Sequence, residues 1–184
     1  MSATTGVPWS AGSWSTPPAA VAEDGPDLLV TAVEGSDAWR HTAYGFVHDD
    51  AHALLAPLAD PGAVEVAVDL DYGQQFDQAG LLLRVDAGTW LKAGVEVSDG
   101  VHQVGAVVTL GRSDWSVAPV PGWAGRRVTV RARVDDEPFR LVRVAPFPAG
   151  VPVSAGPYCC APTRAGLTVR FRRWTTGPAD AALH

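Results

Sequence analysis

Hydrophobic positions along this chain recur with a period of two. Val64-Glu65-Val66-Ala67-Val68-Asp69-Leu70 alternates, and so do residues 90–97, 127–134 and 167–172. An extended chain points successive side chains to opposite faces, so each stretch predicts a strand buried on one side. In 127–134 the arginines and Thr129 all fall on one face. Residues 139–144 alternate less strictly, and shorter runs occur at 27–33, 43–48, 78–85 and 104–110. Turn clusters separate them: Asp60-Pro61-Gly62, Asp71-Tyr72-Gly73, Asp86-Ala87-Gly88, Ser98-Asp99-Gly100, Pro121-Gly122 and Asp135-Asp136-Glu137-Pro138. No window of useful length carries the helical period. Short strands with regular turns predict an all-β chain, two antiparallel sheets in a sandwich or jelly roll.

Residues 1–25, broken by Pro8, Pro17 and Pro18, read as an extended arm. Trp9 and Trp14 should pin it, with at least one of them mostly buried. Residues 26–176 form the sandwich, and 177–184 read as a flexible tail.

The strand 78–85 meets a strand starting at Thr89 across Asp86-Ala87-Gly88, a three-residue loop with Gly88 in the left-handed position. That loop pairs Val85 with Thr89 and Arg84 with Trp90. Leu82 then faces Lys92, Gly80 faces Gly94, and Gln78 faces Glu96. Gln78, Arg84, Trp90, Lys92 and Glu96 share one face, and Leu81, Leu83, Leu91, Val95 and Val97 the other. The second face is core. The first is polar, and its paired glycines would leave room for a ligand. Lys92 and Glu96 lie on one side of one strand, so their long side chains should meet and hold Glu96 ionised. As an exposed pair they would add little stability, so alanine at either position should leave the fold intact.

Composition narrows the function classes. Apolar residues make up 47% and charged residues 18% of 184, which excludes a disordered chain. No apolar run approaches bilayer length. Met1-Ser2-Ala3-Thr4-Thr5 carries no basic or apolar leader pattern, so no secretory signal is expected. A net charge of −6 argues against nucleic acid and against an anionic membrane. Cys159 and Cys160 are adjacent and have no other partner, so no disulfide framework is expected and a cytoplasmic setting fits. Neither has a basic neighbour in sequence to activate it. His41, His48, His52, His102 and His184 show no Cys partner at finger spacing, the pair His48 and His52 reads as surface residues, and no metal or cofactor is expected.

A face with Trp90, Arg84, Lys92, Gln78 and Glu96 suits a sugar, whose C–H face stacks on aromatics while its hydroxyls meet polar groups. Hydrolysis would need a second carboxylate near Glu96. Asp77 and Asp114 are the candidates. No nucleophile elbow, phosphate loop or HExxH occurs. Ser113-Asp114-Trp115-Ser116 reads as a Trp-anchored turn.

Five motifs in order carry a resemblance: Tyr44-Gly45-Phe46; Phe76-Asp77-Gln78-Ala79-Gly80-Leu81; Trp90-Leu91-Lys92-Ala93-Gly94-Val95-Glu96 with Asp99-Gly100; Val107-Val108-Thr109 with Ser113-Asp114-Trp115-Ser116; and Gly156-Pro157-Tyr158 with Pro162. Over about residues 40–174 the chain resembles a bacterial and fungal domain family of unknown function, one member of which is a yeast protein called regulation of enolase. That family looks like a concanavalin A-like lectin/glucanase sandwich. The resemblance makes Lys92, the single lysine of the chain, a motif position, and places Asp114, Trp115 and Tyr158 near the rim of the site. It implies a fold and a site but no substrate. Three functions stay open: a non-catalytic module for a carbohydrate or small polar ligand, a glycan hydrolase using Glu96 with Asp77 or Asp114, and a protein-interaction regulator of central metabolism. Oligomeric state is left open.

Overall fold

Most of the alternating stretches pair into antiparallel strands that bury one row of side chains. The structure, a computed structural model, describes residues 4–59, 62–131, 133–134 and 141–179. In chain order the strands are β1 (Thr5–Gly6), β2 (Ser13–Trp14), β3 (Ala20–Asp24), β4 (Asp27–Thr31), β5 (Ala38–Arg40), β6 (Val47–Asp49), β7 (His52–Leu58), β8 (Ala63–Asp69), β9 (Gln78–Asp86), β10 (Thr89–Ser98), β11 (Val101–Leu110), β12 (Ser113–Pro119), β13 (Arg127–Val130), β14 (Arg133–Val134), β15 (Val153–Cys160) and β16 (Thr168–Gly177). Among the described residues the helical pieces are two 3-10 turns, Trp9–Ala11 and Pro121–Trp123. No helix there is long and apolar enough to cross a membrane.

Two seven-stranded sheets face each other in a concanavalin A-like antiparallel sandwich. The first runs β14-β13-β8-β16-β4-β3, with β1 also on β16, and the second runs β12-β11-β10-β9-β15-β7-β2. Between them Leu28, Val30, Val66, Val68, Val169 and Phe171 meet Ala79, Leu81, Val95, Val97 and Cys159. Burying each large aliphatic or aromatic of this set is worth about 1.5–3 kcal/mol. The outer face of the first sheet carries the arginine row. Arg127 and Arg172 bind Asp69, Arg170 and Arg172 bind Asp27, and Arg131 binds Glu65. Opposite charges thus sit across neighbouring strands.

The hairpin register agrees with the sequence: Trp90 pairs with Arg84, Lys92 with Leu82, Gly94 with Gly80 and Glu96 with Gln78. The turn differs. Thr89 pairs with Asp86, the register shifts between Thr89 and Trp90, and Gly88 is not left-handed. Asp86 closes the turn instead, its carboxylate accepting from Gly88 N at 2.7 Å. The next turn is the one that uses positive φ, at Asp99 (53°) and Gly100 (75°), as a two-residue hairpin demands.

Several strands were hidden in the sequence. The arm supplies β1, β2 and β3 to sheet edges. Trp9 and Trp14 pack on the core, yet both are only half-buried. Trp9 stacks on Trp174 at 6.4 Å and donates to Pro26 O at 2.9 Å. Ser113-Asp114-Trp115-Ser116 opens a strand rather than a turn. Residues 141–144 form no strand, and Phe139 and Arg140 lie outside the described residues, as does the tail beyond 179. His52 is no surface residue. It is 1% exposed, and its Nε2 accepts from Val33 N while Nδ1 donates to Thr16 O. His102 is also buried, and His184 lies outside the described residues.

Candidate functional site

The outer face of the second sheet is covered by a second, smaller core. β5 and β6 form a two-stranded ribbon of their own, and with β5 come Ala38 and Trp39, which pack with Ala51, Ala53, Leu82, Trp90, Val107, Tyr158 and Cys160. Where that cover stops, a cleft of 340 Å³ remains, lined by Asp37, Trp39, Tyr44, Phe46, His48, Phe76, Gln78, Lys92, Glu96, Trp115 and Thr163, among others.

Its walls are aromatic. Tyr44 stacks on Phe46 at 5.4 Å, Trp39 tilts against Tyr44 at 5.8 Å, and Trp39 meets Trp115 edge-on at 6.4 Å. Trp39 is fixed by its indole N–H donating to Thr42 O at 2.9 Å. The backbone around these rings is strained. His41, Ala43 and Phe76 hold φ near +62°, a region that non-glycine residues enter at a cost of about 1–3 kcal/mol. Strain of this kind clusters at functional sites.

The floor is polar. Lys92 is 4% exposed, and its ammonium donates to Asp37 Oδ1 at 3.0 Å and to Gln78 Oε1 at 2.7 Å. Asp37 Oδ1 also accepts from Ala38 N at 2.7 Å. Burial works to lower the Lys92 pKa, but the charge of Asp37, with smaller help from Cys160 and Glu96, outweighs it and raises it. Beside this pair Glu96 lies next to Trp115, with which it lines the cleft. Burial raises the Glu96 pKa above the ordinary carboxylate value; Asp37 adds to the rise, while Lys92 and Trp115 oppose it.

The structure brings together Gln78, Lys92, Glu96 and Trp115 of the residues singled out by sequence. It separates the others. Trp90 shares their face but is 0% exposed, sealed in the small core under Trp39. Arg84 holds Asp49 through two bonds of 2.6 and 2.8 Å, away from the cleft. Asp114 pairs with Arg143, and its strand alternates so that Trp115, in register with Val107 and thereby Lys92, faces the cleft while Asp114 does not. Asp77 is 0% exposed and bound by Arg164. Tyr158 is 3% exposed and packs in the small core with Trp39 and Trp90, not on the rim. Neither candidate partner carboxylate therefore reaches Glu96. The carboxylate that does influence it is Asp37.

Two further expectations are corrected. Lys92 and Glu96 are four residues apart, so their Cα atoms are roughly 13 Å apart at strand rise. The ammonium turns to Asp37 instead, and burial, not ion pairing, dominates at Glu96. The pair is accordingly not an exposed one that alanine would spare. Nor do the glycines leave room for a ligand. A Cβ on Gly94 would meet the backbone of Ala79 and the Cα of Gly80 at 2.9 Å, so these glycines permit close approach of β9 and β10.

Sequence reasoning missed Asp37, Trp39, His48 and Thr163 as site residues. Tyr44, Phe46 and Phe76 stood in the resemblance motifs but not among the predicted ligands. Nothing local marks Asp37, which lies 55 residues from Lys92. A larger opening of 480 Å³ between the sheets is walled mainly by aliphatic residues, and its charged residues Arg131 and Arg143 are already paired with Glu65 and Asp114. Both cysteines are buried, and burial pushes the Cys159 thiol to about 12 and raises that of Cys160.

Residues 14–179 match a family described as "Protein of unknown function (DUF1349)". The chain is 39% identical over 186 residues to "Regulation of enolase protein 1" of Saccharomyces cerevisiae, covering 95% of this chain and 94% of that protein. It superposes with a TM-score of 0.83 and 36% identity on the crystal structure of a functionally unknown protein from Saccharomyces cerevisiae, across 95% of this chain and all of the other. A "Bifunctional GH43-CE" protein of Bacteroides eggerthii shares the fold alone, with a TM-score of 0.56 and 14% identity over 86% of this chain and 22% of that one.

Proposed function

The chain belongs to the DUF1349 family, whose function is unknown, and from the cleft we propose that it is a non-catalytic binding module for a carbohydrate or small polyol. The observation that carries this reading is the combination of aromatic walls with a buried Lys92–Asp37–Gln78 floor. Exposed ring faces of Tyr44 and Trp115 offer stacking area for the C–H face of a sugar. Lys92 uses two of its three donors within the protein, which leaves a third for a hydroxyl. The floor is held in place before any ligand arrives, so little ordering entropy is lost on binding.

Binding is favoured over hydrolysis because the carboxylates that would assist Glu96 are engaged elsewhere. Asp77 is committed to Arg164 and Asp114 to Arg143, while Asp37 accepts from Lys92. The test is a thermal-shift and calorimetric screen of neutral mono- and oligosaccharides. A ligand at 100 times its Kd should add about 2.7 kcal/mol of stability. Tyr44→Ala, at a side chain 63% exposed, should abolish that gain without lowering the apo melting temperature. A screen without any stabilising sugar at millimolar concentration would sink the reading.

The name of the yeast relative favours a second reading, regulation of central metabolism through contact with enolase or a similar protein. Leu141 and Val144, 60% and 64% exposed and outside the cleft, offer an apolar contact for it. Calorimetry with purified enolase decides this; heat-silent mixing at tens of micromolar excludes a direct complex of useful strength.

A further inference from the structure

The cleft holds more negative than positive charge. Asp37 and Glu96 line it, and Lys92 is the one lysine or arginine among its described lining residues. His48 sits 3.5 Å from Asp50, which lies outside the lining. Lys92 is spent on Asp37, which makes that pair neutral. Glu96 shares Lys92 with Asp37 and has no lysine or arginine of its own among the described lining residues, and the neighbouring Trp115 indole can offer at most one donor to the four or so lone-pair sites of a carboxylate. A half-buried carboxylate with so little compensation is costly in the empty protein. A group that brings positive charge would remove that cost.

The walls point the same way. Trp39 stands edge-on to Trp115, interplanar angle 86°, and tilts 57° from Tyr44, so the three rings form a corner and not a flat platform. Ring faces carry negative electrostatic potential, and a cation held among several of them is attracted by each. A purely neutral sugar would use the rings only for stacking and leave Glu96 to share Lys92 with Asp37. An anionic sugar would meet Glu96 with no unspent lysine or arginine to offset the repulsion.

Resting on the reading of the cleft as a polyol site, we propose that its ligand class is an amine-bearing sugar or polyol, bound with its ammonium group against Glu96 and within the corner formed by Trp39, Tyr44 and Trp115. Lys92, Asp37 and Gln78 then meet the hydroxyls. Glu96 sets the preference for charge, and the buried triad sets the preference for hydroxyl geometry.

The experiment is calorimetry on the full chain near neutral pH with glucosamine, glucose and glucuronate, and with their β-1,4 oligomers. The amine should bind about tenfold tighter than the neutral sugar, and the uronate weakest. Glu96→Gln should reduce the amine preference to within about twofold. Equal affinity for amine and neutral sugar, or the uronate binding tightest, overturns the charge inference while leaving the polyol reading standing. Binding of none of the three overturns both. The ranking on the unaltered protein decides without any variant, and the melting temperature of Glu96→Gln separates a lost preference from a lost fold.

Discussion

Removing Lys92 tests whether its pair with Asp37 is part of the fold. In Lys92→Met the ammonium disappears, and Asp37, whose side chain is 19% exposed, keeps a carboxylate with no cation beside it. Breaking a buried pair from one side costs about 3–5 kcal/mol. Asp37 retains Ala38 N and Gln78 Nε2 as donors and part of its solvent contact, so the lower end, about 3 kcal/mol, is expected. For a chain of this length that lowers the melting temperature by roughly 6–12 °C. Asp37→Asn added to Lys92→Met removes the stranded charge and should return the loss to about 1–2 kcal/mol. Urea titrations at neutral pH read both values. The sign with pH follows from the raised Lys92 pKa: the contribution is present below the ordinary lysine value and fades only as alkaline pH passes the higher folded value. A single variant losing less than about 1 kcal/mol, or a double variant recovering nothing, would refute the reasoning.

Glu96 titrates in the opposite sense. Its folded pKa is raised, so its charge destabilises the protein at neutral pH and the penalty fades as pH falls toward the ordinary carboxylate range. Glu96→Gln should therefore be the more stable protein at neutral pH, with the gap closing in acid; thermal melts from neutral pH down to mild acid follow it. Gly94→Ala drives a methyl into β9 and should cost about 1–3 kcal/mol in a urea titration, although no ligand contact is lost. Both thiols should resist a disulfide-exchange reagent in the native protein and react together after denaturation, because Cys159 and Cys160 are fully buried; fast native labelling of either would contradict the packing.

The sequence by itself determined the sandwich and much of its registry. Period-two alternation encodes which face of a strand is dry, and that information is local. It sufficed for β8, β10 and β16, and for the pairing of Gln78 with Glu96 and Leu82 with Lys92. Alternation says only that one face of β10 is polar, not what covers it. That was decided by the ribbon β5–β6, which seals Trp90 and leaves Lys92 and Glu96 beneath an opening. The parity of β12 likewise depended on seeing a strand at Ser113–Pro119, since as a turn Asp114 and Trp115 would not be forced to opposite faces. Lys92 found Asp37 across 55 residues, and Asp77 found Arg164 across 87. A buried charge must be paired, but the chain's own pattern does not name the partner. Only when the sheets and ribbon pack do residues with no shared local signal come within hydrogen-bond reach, so the face of the site was legible in the sequence and its contents were set by tertiary structure.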